Sequence, residues 1–299
     1  MSFSSDVKAE LARQCSKSRH CQLAELAGML ELEGTLSACE VAGQMENVLT
    51  LASDNELLTE KFHTLIEKAF GFDVSAVLNE AQSQEVLRTL HWNSVADHST
   101  VLESQRADGL LVQRTCCKRA FIRGAFMAAG SISDPNKSYH FEIVCHTLEQ
   151  AEQLQNLIDS FDADAKIVER KERYVLYLKE GSQIVDMLNV MEAYVALMQL
   201  ENVRILKEMR NSVNRKVNCE TANINKTVNA AVKQMEDIKK IQEVIGFDNI
   251  PVTLAEIAQA RLDHPEATLK ELGTFLDPPV GKSGVNHRLH KLAEMAENL

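Results

Sequence analysis

Two nine-residue segments, ninety-six positions apart, constrain this chain more than any other feature. Leu26–Gly34 reads L-A-G-M-L-E-L-E-G and Ile122–Gly130 reads I-R-G-A-F-M-A-A-G. Each closes a helical stretch, Cys21–Gly34 and Cys116–Gly130, and in the first of these Leu23, Leu26, Ala27 and Leu30 share one face. Self-similarity at a fixed offset marks a duplicated structural unit. Behind the first helix, strands are expected at Thr35–Val41 and Val48–Ala52 around a turn at Gly43–Glu46, then a helix at Ser53–Phe70. Further strands are expected at Phe72–Leu78 and Glu85–Trp92, and a helical segment at Val95–Leu111. Behind the second helix come a turn-rich loop (Ser131–Ser138), a strand (Tyr139–Cys145) and a Thr-capped helix (Thr147–Phe161). A hairpin of Ala165–Glu169 and Tyr174–Leu178, and a long apolar helix Gly181–Leu200, complete the repeat. The fold class is α+β, a duplicated αββαββα domain, with halves at residues 1–112 and 113–200.

The remainder reads as all helix. Glu201–Asn218 is amphipathic, with Val203, Leu206, Met209, Val213 and Val217 against Arg204, Lys207, Arg210, Arg215 and Lys216. Residues 201–222 are taken as a basic helical linker and 223–299 as a separate domain. That domain opens with a helix over Asn223–Ile245 ended by Gly246. A shorter helix follows, with Thr253 and Glu256 as its capping box. In Ala267–Leu292, Thr268 and Glu271 form another capping box, and Leu269, Leu272 and Leu276 make one apolar stripe. Asp277-Pro278-Pro279 stops that helix, since proline lacks the N–H and biases its predecessor away from helix. Ser283 is then placed to cap a second helix, whose stripe is Val285, Leu289 and Leu292. At about 100° per residue, Ser283, His287, His290 and Lys291 lie on the opposite face, flanked by Asn286 and Arg288, with Lys282 just ahead. These are donors suited to phosphates and major-groove base edges.

A helical hairpin that only packs would carry the same stripes, and the turn is longer than the usual 3–4 residues of a helix-turn-helix. Local chemistry favours the DNA reading. Lys282–Leu292 holds three Lys or Arg, two His, one Asn and no acid, in a chain of net charge −11. Residues 1–201 carry 18 basic and 30 acidic side chains, whereas Arg204–Lys240 carries nine and four. A basic segment behind an acidic body confines a DNA contact to the C-terminal third. The expected partner is therefore double-stranded DNA, with the front part a platform for a regulatory protein partner or ligand. No signal-peptide pattern or membrane-length apolar run is present, so a cytoplasmic, nucleoid-associated protein without a membrane contact is expected. Seven cysteines without any C-x-x-C argue against a disulfide framework or zinc knuckle. His20-Cys21, Cys116-Cys117 and Cys145-His146 are the pairs from which a metal site would be assembled. Scattered cysteines more often act as small buried hydrophobes, so neither metal nor cofactor is expected.

Leu26–Gly34 resembles the helix motif of LAGLIDADG homing endonucleases, and the duplication resembles their fold. In that family two such helices pack through small residues, here Ala27 and Gly28, and the acid at the eighth motif position of each holds metal. Carried onto this chain, those positions are Glu33 and Ala129, with Met127 at the sixth position of the second motif and Asp134 beyond the helix in a loop. Metal-assisted phosphodiester cleavage needs charge on both the attacking and leaving sides. The resemblance therefore implies a retained scaffold with no catalytic residues and no enzyme activity; the alternative is an active metal-dependent endonuclease using Glu33. Nearly the whole chain also resembles the bacterial WhiA family of sporulation regulators, through Met1–Leu11, Arg119–His140, Glu201–Lys226 and His264–Leu292. This implies a degenerate endonuclease-like domain fused to a helix-turn-helix. It also implies sequence-specific transcriptional control of sporulation or, in non-sporulating bacteria, of cell division and chromosome segregation.

Overall fold

Both repeated segments end helices, and those two helices lie against one another. The computed structural model describes residues 2–41, 44–73, 78–96 and 102–299. It divides into two units, Met1–Lys207 and Glu208–Leu299.

In the front unit, α1 (Phe3–Arg13) is capped by the Ser2 hydroxyl, which accepts the Ser5 N–H. Next come α2 (Arg19–Glu33) and an antiparallel hairpin of β1 (Gly34–Val41) and β2 (Gln44–Leu51). The strand register runs to Val41 opposite Gln44, so Gln44–Glu46, expected in the turn, belong to the strand. Helix α3 (Glu56–Phe70) starts at an Asn55 cap and ends at Gly71 in the left-handed region. Helix α4 (Glu80–Thr89) replaces the strand expected at Glu85–Trp92. Its buried Ser83, Val86, Leu87 and Leu90 have helical spacing, and Asn79 with Gln82 closes a capping box that fixes its start. Of the strand expected at Phe72–Leu78, residues 74–77 lie outside the described residues. The helical segment expected at Val95–Leu111 amounts to α5 (Asn93–Ala96) and one 3₁₀ turn at Leu102–Ser104, with 97–101 outside the described residues.

The second half follows the expected order closely. Helix α6 (Thr115–Ala129) leads into β3 (Gly130–Ile132) and β4 (Phe141–Cys145), then α7 (Leu148–Asp159), β5 (Lys166–Arg170), β6 (Arg173–Leu178) and α8 (Gly181–Met191). The strands form one antiparallel sheet in the order β3-β4-β6-β5. The helix expected to run from Gly181 to Leu200 breaks at Glu192, whose backbone is left-handed (φ 68°). Its carboxylate is engaged across the core, as shown below. The next helix, α9 (Tyr194–Val244), runs without interruption through Asn218–Asn223, where two separate helices had been expected. Between Gly181 and Gly246 the chain has no glycine or proline to stop it, and the asparagines there cost only fractions of a kcal/mol each.

Cys21 through Leu32 of α2 are all buried, which is how a helix enclosed on every side reads. Its closest neighbour is α6. A Cβ on Gly28 would collide with the carbonyl oxygen of Phe121, and one on Gly124 with that of Glu25. The two contacts are related by the ninety-six-residue offset, so the crossing is a local two-fold. Beside it lies a buried charge cluster. Arg123 donates through Nε to Glu25 Oε1 (3.0 Å) and through Nη2 to Glu25 Oε2 (2.7 Å). Lys61 Nζ reaches the same carboxylate at 3.0 Å, and Arg123 also donates to Glu192 and Ser16, each at 3.1 Å. Burial works against the Arg123 guanidinium, but the hydrogen bonds and charge of Glu25, with Glu192, outweigh it and hold its pKa above the ordinary value.

The rear unit is all helix. After α9 and a 3₁₀ turn (Phe247–Asn249) come α10 (Val252–Asp263), α11 (Leu269–Thr274) and α12 (Lys282–Glu297). They enclose Ile238, Ile241, Ile257, Leu272, Val285, Leu289 and Leu292. The capping box expected between Thr253 and Glu256 does not form. Pro251 takes the cap position, so helix starts at Val252 and Thr253 is already inside it.

Gly28→Ala and Gly124→Ala each push a methyl group into backbone rather than into a movable side chain. Each is expected to destabilise the front unit by about 1–3 kcal/mol or more. Gly109→Ala, which meets nothing within 4 Å, is expected to stay within about 0.5 kcal/mol. Urea unfolding of the three variants checks this.

Candidate nucleic-acid interface

The geometry of the α11–turn–α12 segment is set by three local features. Thr268 Oγ1 accepts the Glu271 N–H and Glu271 Oε2 accepts the Thr268 N–H (2.8 Å), the capping box expected from sequence. The turn then folds back on α11. Val280 N–H donates to Gly273 O at 2.9 Å, and a Cβ on Gly273 would overlap the Val280 carbonyl. Helix α12 begins at Lys282 with Gly281 as its cap. Ser283, expected as the cap, is therefore the second helical residue and makes no capping bond, because helix starts as soon as the turn clears α11.

Val285, Leu289, Leu292 and Ala296 of α12 are buried, as the stripe predicts. Lys282, Ser283, Asn286, His287, His290 and Lys291 are all exposed. Arg288 departs from this pattern. It is half-buried, and its Nη1 donates to Thr253 O (3.3 Å), tying α12 to the start of α10. His290 Nε2 stands 3.9 Å from Glu294 Oε1, one turn further on.

Tertiary structure adds residues that the linear pattern did not place here. Lys282 and Asn286 line a cleft of about 540 Å³ with Lys226, Arg261, Thr268 and Lys270. Asn286 and His290 line a second hollow of about 370 Å³ with Lys233 and Asp237. Lys226 and Lys233 come from α9, whose excess of basic residues was visible in sequence but had no position relative to α12. Arg261 is buried, and among the described residues no carboxylate pairs with it. Its Nη1 donates to Ala267 O at 2.7 Å, and burial pulls its pKa below the ordinary value.

The motif acids of the front unit have other surroundings. Glu33, at the C-terminal end of α2, is half-buried; burial raises its pKa, opposed by the charges of Lys8 and Arg173. The equivalent place on α6 is Ala129. Asp134 is partly exposed and accepts both the Asn136 backbone N–H (2.9 Å) and the Asn136 side-chain amide (3.0 Å), which lower its pKa. Glu31, at the sixth motif position, is fully enclosed. It accepts the Ala107 N–H at 2.8 Å, and desolvation pushes its pKa up to about 8 against that bond and the charge of Arg106. Among the described residues, one group of three or more His, Cys, Asp and Glu side chains comes within metal-binding distance. It contains none of these acids and consists of His20, Cys21, Cys116 and Cys117. Cys145 is buried on β4, and His146 Nε2 donates instead to Leu32 O (2.7 Å).

The family model for the WhiA LAGLIDADG-like domain matches residues 118–210, and that for the WhiA C-terminal HTH domain matches 213–296. Probable cell division protein WhiA of Lachnoclostridium phytofermentans is 50% identical over 314 aligned residues, covering 100% of this chain and 99% of that one. The chain belongs to the WhiA family. The namesake of Alkaliphilus oremlandii is 46% identical, covering 100% of this chain and 98% of that one. The crystal structure of full-length DUF199/WhiA from Thermatoga maritima aligns with a TM-score of 0.60 and 22% identity over 100% of this chain and 99% of that one, and so shares its fold. Residues 118–210 accordingly form a WhiA LAGLIDADG-like domain, and the α11–α12 pair lies in the WhiA helix-turn-helix domain.

Two outcomes follow for this WhiA chain. Gly273→Ala should displace Val280 and cost about 1–3 kcal/mol, read as lost hydrogen-exchange protection at Leu289 and Leu292. Glu31 prefers its proton in the folded state, so it lowers stability progressively as pH rises from its ordinary value of 4.5 to about 8. Glu31→Gln should therefore unfold at a higher midpoint than the wild type, with the gap widening across that window and closing below it.

Proposed function

We propose that this chain is a sequence-specific, double-stranded-DNA-binding transcription regulator whose endonuclease-like domain does not cleave DNA. The observation that carries the reading is the outward face of α12, which presents six polar or basic side chains while its opposite stripe is locked into the core. Lys282, Arg288 and Lys291 hold phosphates, and Ser283 and His290 extend the donor face. Asn286 makes a bidentate contact to adenine, and His287 donates to a base edge or phosphate. Lys226, Lys233 and Lys270, around the two hollows beside α12, extend the phosphate-binding surface. The division of labour follows the sequence reading: residues 1–112 and 113–200 as the two halves of a platform for a regulatory partner, 201–222 as linker and 223–299 as reader.

The lack of cleavage rests on Ala129, which leaves Glu33 without the opposing acid that two-sided charge stabilisation needs. The process controlled is sporulation or, where the host does not sporulate, cell division and chromosome segregation. The names of the relatives, probable cell division proteins, support the second. Such a regulator works in the cytoplasm at the nucleoid. Among the described residues no helix is long and apolar enough to cross a membrane.

Binding of the full chain to selected and random duplexes across a salt series tests the assignment. Asn286→Ala should reduce discrimination between duplexes by about 1–3 kcal/mol and leave random-duplex affinity in place. Lys291→Ala should weaken all duplexes alike and lower the salt slope by about 0.9. The reverse pattern overturns the reader assignment, and Mg²⁺-dependent cleavage abolished by Glu33→Ala overturns the non-catalytic one.

A further inference from the structure

We propose that His20, Cys21, Cys116 and Cys117 form a structural Zn²⁺ site that clamps the N-terminal ends of α2 and α6. Their four ligand atoms all lie within 4.8 Å of one another. His20 Nδ1 stands 3.2 Å from Cys117 Sγ and 3.3 Å from Cys21 Sγ. Around tetrahedral zinc, with bonds of about 2.3 Å to sulfur and 2.0–2.1 Å to nitrogen, ligand atoms sit roughly 3.5–3.8 Å apart. Small side-chain rotations therefore suffice to close the shell.

The placement is not accidental to the fold. His20 and Cys21 are the second and third residues of α2, and Cys116 and Cys117 are the second and third of α6. The ninety-six-residue offset relates His20 to Cys116 and Cys21 to Cys117, so the group sits on the local two-fold that relates the two helices. It lies at the end opposite Glu33 and Ala129. Both helix N-termini favour the negative charge that metal-bound thiolates carry. Arg114, the cap residue of α6, adds a cation near Cys117.

The donor set chooses the metal. Three thiolates and an imidazole suit Zn²⁺ rather than the oxygen-seeking Mg²⁺ or Ca²⁺. Four protein ligands also leave no open position for a reactive water, which makes the site structural. Cys21 and Cys117 are buried while Cys116 is exposed, so the ion has a way in. Binding of Zn²⁺ would release the protons of the three thiols.

The full chain, reduced and stripped with EDTA, can be titrated with Co²⁺ and then Zn²⁺. One Co²⁺ per chain is expected, with the visible absorption of a tetrahedral thiolate complex, bleached by Zn²⁺, together with a raised thermal midpoint. Cys116→Ser and His20→Ala alter the solvent-side ligands and should keep the fold by circular dichroism, yet weaken binding at least tenfold. Cys219→Ser, in exposed α9, should bind as the wild type does. Absence of one-to-one uptake overturns the site. So does uptake unchanged in both ligand variants, or a disulfide among these cysteines in a chain that binds no metal when reduced.

Discussion

The front half of this protein depends on how closely two helices can approach. Where α2 crosses α6, each glycine lies against a carbonyl of the other helix, leaving no volume for a side chain. That proximity encloses α2 on every side and carries Glu25 and Arg123 into the interior with it. Withdrawing such ions from water costs several kcal/mol apiece unless the geometry is good and the remaining hydrogen-bonding capacity is met. Here the fork of Arg123 matches the Glu25 carboxylate atom for atom. Lys61 and Glu192 then balance the cluster's charge. The left-handed backbone at Glu192, costly for a residue with a side chain, is held by the same network. Crossing and network depend on each other: the glycines bring the ions together, and the ions make only one register of the two helices acceptable.

The same two helices have chemically different ends. At their C-termini the repeat has diverged, leaving Glu33 opposite an alanine position. At their N-termini the repeat has kept soft ligands on both sides, and the local two-fold turns two vicinal pairs into one four-atom group. A duplicated helix pair thus offers two places on its axis where chemistry can be built.

In the rear unit the controlling constraint is again a near contact, between Gly273 and Val280. It folds a seven-residue turn onto α11 tightly enough for Val285, Leu289 and Leu292 to dock. Once that stripe is buried, the rotation of α12 about its axis is fixed, and the donor-rich face has to point outward.

By itself the sequence determined the two motif helices and the α11–α12 pair, their apolar stripes, the Thr268 capping box and the absence of a second motif acid. All of these follow from short-range periodicity, capping chemistry and residue identity. It misled at Glu85–Trp92, where a run of β-formers hid a helix, and at Ser283 and Thr253, where helix begins a residue earlier than the cap signal. Only the tertiary structure decided that Glu25 pairs with Arg123 and that Lys226 and Lys233 stand beside Asn286. It alone brought the vicinal pairs at 20–21 and 116–117 to one point. These facts join residues tens of positions apart, and no periodicity encodes them. They follow from how closely backbones pack, and that is settled only when the whole core has closed.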